Sequence, residues 1–173
     1  MITESRNTKG YWIWGGFEQN DKLFIDTIKF KINKKLKGPI FDSHLTFSGP
    51  IKELDESILD RFYRLKETIH PIKLNINTIS FNKDYYRSIY LDIENGPNLG
   101  KFKDQIDSTF QLISNDYSPH ISLYYGYKNI KIKKKAISNL PKLPTQIKLD
   151  KLFFVYVNEI KKVWDIREIL LLE

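Results

Sequence analysis

Cysteine is absent from the 173 residues of this chain. Without thiols the protein has no disulfide, no thiolate nucleophile and no cysteine-bound zinc or iron–sulfur centre. Apolar runs of about 20 residues, long enough to span a bilayer, are absent too. The polar residues 1–10 lack the apolar core of a secretory signal. We therefore expect a redox-silent protein of the cytoplasm that does not interact with a membrane.

Acidic residues are in the minority. The chain has 28 Lys and Arg against 21 Asp and Glu, which gives a net charge of +7 and a pI near 9.3. A positive balance is typical of proteins that bind an anionic partner, such as a nucleotide, RNA or an acidic surface. A lysine-rich surface is equally consistent with simple solvation, and for the basic run at residues 131–135 we favour a solvated helix face over a rim that attracts a polyanionic substrate. Charge alone leaves both interpretations open.

The length and the 41% share of hydrophobic residues predict one globular domain over residues 1–173. Apolar residues three and four apart predict four helices, at residues 21–36, 54–69, 99–113 and 131–140. Runs rich in β-branched and aromatic residues predict seven strands, near residues 11–14, 40–47, 74–81, 88–93, 120–125, 146–157 and 163–172. The second half of this order imperfectly repeats the first. We expect a compact α+β unit of two intertwined lobes that share a cleft.

A short pattern occurs twice, as His44-Leu45-Thr46-Phe47 and as His120-Ile121-Ser122-Leu123. On a strand, the histidine and the hydroxyl residue two positions later project to one face, and the apolar residues project to the other. If the fold brings the copies face to face, two proton-transfer groups and two hydrogen-bond donors surround one small space. That arrangement suits chemistry on a phosphate.

The third histidine, His70, lacks a hydroxyl partner and precedes Pro71 at the end of a predicted helix. A histidine in that place can simply interact with the helix dipole. A metal site built on three histidines would require His70 to join the other two, and nothing in the spacing supports it. We therefore expect no bound metal and no catalytic role for His70.

Paired His-x-Thr/Ser motifs with apolar flanks are the signature of the 2H phosphoesterase superfamily, which this chain resembles over nearly its whole length. It is most similar to the cyclic phosphodiesterase group. Residues 118–126 (SPHISLYYG) are similar to that group's second motif, residues 11–14 (YWIW) to its opening strand, and residues 85–92 to a strand between the motifs. Ser43 stands where the family often has proline before the first histidine.

The resemblance implies a bilobal fold in which two antiparallel sheets line a central cleft, with helices outside and a pseudo-twofold axis between the lobes. It also implies a catalytic set, with His120 as the base, His44 as the acid, and two hydroxyls that bind phosphate oxygens, those of Thr46 and Ser122.

Three further residues are candidates for substrate binding. Trp14 and Tyr125 match positions where the family places aromatic residues near the substrate, and the alternative for both is a role in the core. Arg87 lies near the predicted centre and has the geometry to bind phosphate, with a surface salt bridge as its alternative.

The function implied is hydrolysis of a cyclic phosphodiester to a phosphomonoester by a monomer without metal or cofactor. The implied substrates are a nucleoside 2′,3′-cyclic phosphate or ADP-ribose 1″,2″-cyclic phosphate. Other members of the superfamily suggest a phosphodiesterase for 2′-5′ oligonucleotides or cyclic oligonucleotide signals, or an RNA end-processing enzyme. A non-catalytic RNA-binding module is a further alternative. A groove open at both ends and lined by lysine would favour an oligonucleotide, and a closed aromatic pocket would favour a mononucleotide.

Overall fold

A computed structural model describes residues 9–52, 55–113, 116–161 and 163–173. These residues form seven strands and four α-helices, in the predicted order. The strands are β1 (Lys9–Phe17), β2 (Leu45–Ile51), β3 (Ile72–Phe81), β4 (Ile89–Ile93), β5 (His120–Tyr124), β6 (Gln146–Asn158) and β7 (Val163–Leu171). The helices are α1 (Gln19–Leu36), α2 (Ile58–Arg64), which a 3₁₀ turn extends, α3 (Pro97–Phe110) and α4 (Ile130–Ile137). In the part of the chain described, no helix is long and apolar enough to cross a membrane.

All seven strands belong to one antiparallel sheet in the order β1-β2-β5-β4-β3-β6-β7. A further pairing of β1 with β6 closes six of the strands into a ring. The α+β antiparallel class is therefore confirmed, whereas the two expected sheets are halves of one continuous sheet. One half contains β1, β2, β6 and β7, and the other contains β3, β4 and β5.

Two junctions join the halves. The 13-residue strand β6 is long enough to pair with β3 through its first four residues and with β1 from Leu149 to Asn158. At the second junction, β2 and β5 share the single register pair Leu45↔Ile121. Both of these side chains are fully buried in the main core. Each is also the residue between the histidine and the hydroxyl residue of its motif, so this junction sets the two motifs side by side.

The helices cover the sheet with their apolar stripes. In α1 the buried residues lie three and four positions apart, at Ile25, Ile28, Ile32 and Leu36, and the helix ends where Lys37 adopts a left-handed conformation. Helix α1 packs against β5 and against α4, while α3 packs against β2. The strands that carry the two motifs are therefore each backed by a helix.

Several predicted boundaries were wrong. Helix α3 stops at Phe110 because Gln111 turns left-handed, which leaves Ile113 exposed. Strand β2 begins at Leu45 rather than at residue 40 and continues to Ile51, so residues 38–44 form a loop that ends at His44. Helix α2 is shorter than predicted, and its predicted first residue, Leu54, lies outside the described residues together with most of residues 1–10.

Candidate active site

A cavity of about 330 Å³ is lined by residues of both halves of the sheet. Its wall includes all four residues of the predicted catalytic set, which are His44, Thr46, His120 and Ser122. These four residues flank Leu45 and Ile121, the pair at which the two motif strands meet. Because Leu45 and Ile121 point into the core, strand alternation points the flanking residues toward the cavity. The family resemblance implied this juxtaposition, whereas strand alternation by itself left it open. The chemical role of each residue stays a prediction.

The two imidazoles are held in the same way. His44 Nδ1 lies 2.8 Å from the carbonyl oxygen of Asp42, and His120 Nδ1 lies 3.0 Å from the carbonyl oxygen of Ser118. In both motifs the carbonyl belongs to the residue two positions before the histidine. A carbonyl oxygen can only accept, so Nδ1 carries the proton in each ring. Nε2 is then the basic nitrogen of both neutral rings.

His44 is enclosed on its ring face. The indole of Trp14 stacks on the imidazole, with the ring centroids 3.6 Å apart and the planes 6° apart. This burial lowers the pKa of His44 to about 3, and the positive charge of Lys29 and the neighbouring His120 act in the same direction. The hydrogen bond to Asp42 opposes the shift. In the free protein His44 is therefore neutral near pH 7.

His120 also lies in a low-dielectric environment. Burial lowers the pKa of His120, and the nearby Arg87 lowers it further. The rings of Tyr90 and His120 pack edge to face, with the ring centroids 5.5 Å apart and the planes 72° apart. Both histidines of the cavity thus favour the neutral state.

Arg87 does not line the cavity. One nitrogen of its guanidinium donates to Ser118 Oγ at 2.8 Å, and the group lies 4.4 Å from the ring centre of Tyr90. Arg87 therefore contacts two neighbours of His120, and the phosphate contact and the surface salt bridge considered for it from the sequence stay predictions. From this position its charge acts on the imidazole of His120.

The two hydroxyls of the predicted set differ in their surroundings. Ser122 is buried, and its Oγ donates a hydrogen bond of 2.8 Å to the carbonyl oxygen of Tyr86. Thr46 is partly exposed. Its carbonyl oxygen accepts a hydrogen bond of 3.2 Å from the hydroxyl of Tyr117. The proton of the Ser122 hydroxyl is thus engaged with the backbone.

Six aromatic side chains dominate the cavity wall: Trp12, Trp14, Phe41, Tyr86, Tyr125 and Trp164. Tyr125 stacks on Phe41 with the ring centroids 3.7 Å apart, and burial raises the pKa of Tyr125. Trp14 and Tyr125 are both buried in the protein and present on the cavity wall. The two alternatives considered for them, core and substrate contact, are therefore compatible.

Sequence reasoning missed four of these aromatic residues. Trp12 lies two residues before Trp14 on β1, so strand alternation was a signal for it. Phe41, Tyr86 and Trp164 reach the cavity from a loop, a turn and the last strand, and nothing local in the sequence indicates this.

The loop that carries His44 is held by side chains from α1. Lys29 Nζ donates to the carbonyl oxygen of Phe41 at 2.5 Å and to Ser43 Oγ at 3.1 Å. Ser43 Oγ in turn donates to Asp26 Oδ1 at 2.6 Å. Burial lowers the pKa of Lys29 to about 8, and Asp26 opposes that shift. A proline in place of Ser43, as the family resemblance suggests, would lack the hydroxyl that joins this network.

His70 lies apart from the cavity, with Nδ1 placed 3.1 Å from the carbonyl oxygen of Glu173. Among the residues that the structure describes, no three His, Asp or Glu side chains are grouped as metal ligands. The cavity's chemistry is thus built on imidazole, hydroxyl and aromatic groups, with two acidic residues, Asp42 and Glu159, also on its wall.

No protein-family model and no curated protein sequence matches the chain. Solved structures do match it. Escherichia coli LigT in complex with 3′-AMP has a TM-score of 0.63 over 95% of this chain and 98% of LigT, at 12% sequence identity. The chain has the LigT fold. A structure described as a phosphoesterase gives a TM-score of 0.62 over 95% of this chain and 99% of its own, also at 12% identity.

The protein TT0787 of Thermus thermophilus has the same fold, with a TM-score of 0.58, 13% identity, and coverage of 94% of this chain and 97% of TT0787. LigT belongs to the 2H phosphoesterase superfamily. The LigT fold is therefore the fold that the paired motifs imply. LigT itself has been solved with phosphate as well as with 3′-AMP.

Proposed function

We propose that the protein hydrolyses a cyclic phosphodiester, either a nucleoside 2′,3′-cyclic phosphate or ADP-ribose 1″,2″-cyclic phosphate, to a phosphomonoester. One observation carries the proposal. Two imidazoles, each with Nδ1 bonded to the carbonyl two residues earlier, line one cavity together with the hydroxyl residues Thr46 and Ser122. The complexes of LigT with phosphate and with 3′-AMP support a ligand of this class in the same fold.

In the proposed reaction a water oxygen attacks phosphorus and the bond from phosphorus to one ribose oxygen breaks. His120 accepts the proton of the water at Nε2, and His44 donates a proton from Nε2 to the leaving oxygen. Both proton transfers are made by imidazoles, so the scheme needs no metal ion. Because the attacking and leaving oxygens lie on opposite sides of phosphorus, an in-line displacement needs two groups rather than one.

The proton on His44 must be acquired when the substrate binds. Burial keeps the imidazole neutral in the free protein, with a pKa of about 3. An anionic phosphate within a few ångströms favours the protonated ring and raises its pKa. The substrate thus helps to create the acid that its own cleavage requires. A bell-shaped pH profile of kcat/KM would report the two ionisations in the free protein.

The hydroxyls are proposed to bind the non-bridging oxygens. Thr46 is partly exposed on the wall and is the more accessible donor. Ser122 donates to the carbonyl oxygen of Tyr86, so it must rotate its proton toward the phosphate when the substrate enters. We therefore expect Thr46→Ala to reduce kcat/KM more than Ser122→Ala, and both less than loss of a histidine.

The lining of the cavity favours a single nucleotide over an oligonucleotide as its occupant. Six aromatic side chains form much of the wall, and no lysine or arginine is among the described residues that line it. Aromatic rings can stack on a nucleobase, whereas a groove that follows several phosphates is lined by cations. This supports the cyclic mononucleotide over the 2′-5′ oligonucleotide.

The test is a substrate panel containing 2′,3′-cyclic mononucleotides, ADP-ribose 1″,2″-cyclic phosphate, 2′-5′ oligoadenylate and cyclic dinucleotides, assayed with and without EDTA. We expect turnover of a cyclic monophosphate in EDTA, and a loss of about 10²–10⁴-fold in kcat/KM for His44→Ala and for His120→Ala. His70→Ala is the matched control, because the ring lies outside the cavity, and should retain full activity.

Near-normal turnover by either active-site variant would exclude the paired-histidine mechanism. Turnover that EDTA abolishes would exclude the metal-free scheme. Preferential cleavage of 2′-5′ oligoadenylate or a cyclic dinucleotide would move the assignment to those substrates, and absence of turnover across the panel would favour the non-catalytic RNA-binding alternative.

A further inference from the structure

The positive charge of the chain is concentrated in two segments. Residues 27–41 and 117–149 contain twelve lysines and not one acidic residue. The rest of the chain contains the other 16 basic residues and all 21 acidic residues. The two segments therefore carry a charge of +12 and the rest carries −5, which accounts for the net +7. The excess of lysine is local rather than a general property of the surface.

The fold places these two segments together. The first contains the second half of α1, and the second contains α4, which packs against α1. Lys35 Nζ donates a hydrogen bond of 3.0 Å to the carbonyl oxygen of Ala136, a residue of α4 that lies 101 positions later. We call the exposed lysines around these two helices the basic face: Lys31, Lys34, Lys35, Lys37, Lys128, Lys131, Lys134 and Lys135.

Two lysines of the basic face, Lys35 and Lys135, line a groove. This second cavity, of about 440 Å³, lies between α1 and α4, and its other lining residues are Ser138, Asn139, Leu36, Ile132 and Ala136. Ammonium groups suit phosphate oxygens, and hydroxyl and amide groups suit the sugar and base edges of a nucleic acid. A concave surface of this chemistry can accept a flexible strand, whereas a bilayer surface is broad and nearly flat.

Aromatic side chains accompany the lysines. Phe30 on α1 and Tyr127, three residues before α4, are each 69% exposed. Exposed aromatic rings beside lysines are typical of surfaces on which the bases of a single strand stack. The first basic segment also leads directly into the active-site cavity, because the loop that follows Lys37 supplies Phe41 and His44 to its wall.

We propose that the basic face binds single-stranded RNA through its phosphates, at a surface outside the active-site cavity. Lysines on two helices contact successive phosphates along the groove, and their charges release the counterions condensed on the strand. No lysine or arginine is among the described residues that line the cavity, so the basic face supplies the cations for the backbone. This binding does not depend on turnover in the cavity.

The test measures fluorescence anisotropy with a labelled 12-nucleotide RNA that ends in a 3′-hydroxyl, over a range of salt concentrations. The test variant is Lys31→Gln/Lys34→Gln/Lys131→Gln/Lys135→Gln, which leaves the Lys35 contact between the helices intact. The matched control is Lys52→Gln/Lys66→Gln/Lys73→Gln/Lys101→Gln, which removes four exposed lysines from other parts of the surface and changes the net charge equally.

We expect the test variant to bind about 100-fold more weakly at 0.1 M salt, and its slope of log K against log[salt] to be smaller in magnitude by about 2.8, as four lost phosphate contacts on a single strand predict. The control variant should bind within about threefold of the wild type. Circular dichroism verifies that both variants are folded. A 4-thiouridine RNA should crosslink within residues 27–37 and 127–139, which hold the basic face and none of the described residues that line the active-site cavity.

Equal weakening in both variants would show that only net charge matters and would overturn the proposal. So would absence of RNA binding at 0.05 M salt, or crosslinks confined to other parts of the chain. Vesicles containing phosphatidylserine form a second arm, and binding to vesicles but not to RNA would assign the basic face to a membrane instead. Repeating the RNA titration with His44→Ala/His120→Ala, which should bind RNA normally, separates failure of this proposal from failure of the proposed hydrolysis.

Discussion

Two lysine–aspartate ion pairs in this protein have the same local geometry and very different burial. Lys22 and Asp26 on α1, and Lys103 and Asp107 on α3, are each four residues apart with the lysine first, and each has a closest distance of 2.5 Å. The side chains of the first pair are 40% and 37% exposed, and those of the second are 5% and 12% exposed. Comparing Lys22→Met with Lys103→Met therefore contrasts a partly exposed pair, whose aspartate keeps Ser43 and the nearby Lys29, with a buried one.

The expected magnitudes follow from what each substitution leaves behind. Lys22→Met removes a solvent-screened pair, which should lower the free energy of unfolding by less than about 0.5 kcal/mol. Among the residues that the structure describes, Lys103→Met leaves the buried Asp107 carboxylate with the hydroxyl of Ser48 as its remaining side-chain donor and removes its ion-pair partner. Loss of one partner from a buried pair costs about 3–5 kcal/mol. For a chain of this length that corresponds to a fall of about 6–20 °C in Tm.

The measurement is urea denaturation followed by circular dichroism at pH 7, with thermal melts as a second readout. The double variant Lys103→Met/Asp107→Asn removes the stranded charge and keeps an acceptor for Ser48, so it should recover most of the loss. Equal effects of Lys22→Met and Lys103→Met would refute the reasoning, as would a double variant that is less stable than Lys103→Met alone.

Three further predictions concern the surroundings of the cavity. Gly49→Ala should lower the free energy of unfolding by about 1–3 kcal/mol, because φ is +143° and the new Cβ would lie 2.5 Å from Trp12. The control is Gly100→Ala on α3, where the new Cβ meets open space, and it should leave the free energy of unfolding unchanged. Urea titration of both variants measures the difference. The pKa of His44 is about 3 in the folded protein and 6.5 in the unfolded chain. The contribution of His44 to stability is therefore complete above pH 6.5 and falls by about 1.4 kcal/mol per pH unit toward pH 3. Urea denaturation at several pH values should show that His44→Gln removes this slope. Tyr117→Phe should cost about 1 kcal/mol through its lost hydrogen bond to the first motif, and an unchanged urea midpoint would contradict it.

The features that could be predicted from the sequence are those set by residues close together along the chain. The spacing of Ile25, Ile28 and Ile32 indicates a helix, and alternation within each motif indicates that the histidine and the hydroxyl share a face. The element order and the α+β class follow from such local periods. The ends of elements are less predictable, because a single residue such as Gln111 in a left-handed conformation decides where α3 stops.

Other features depend on residues that are far apart in sequence. The wall residues Tyr86 and Trp164 come from different parts of the chain, and Arg87 contacts Ser118, which lies 31 positions later in the sequence. The hydrogen bonds of Lys29 to the loop before His44 likewise required the packing of α1 on the sheet. No periodicity reports such contacts, because they arise from the packing of whole elements.

The paired motif shows where these two kinds of information meet. The sequence by itself determined that each copy presents an imidazole and a hydroxyl on one side of a strand, because alternation is a local property of the backbone. The tertiary structure alone decided that the two copies line one cavity, through the single Leu45↔Ile121 register pair between β2 and β5. It also decided that burial makes both imidazoles favour the neutral state, because desolvation is produced by side chains that the local sequence does not contain.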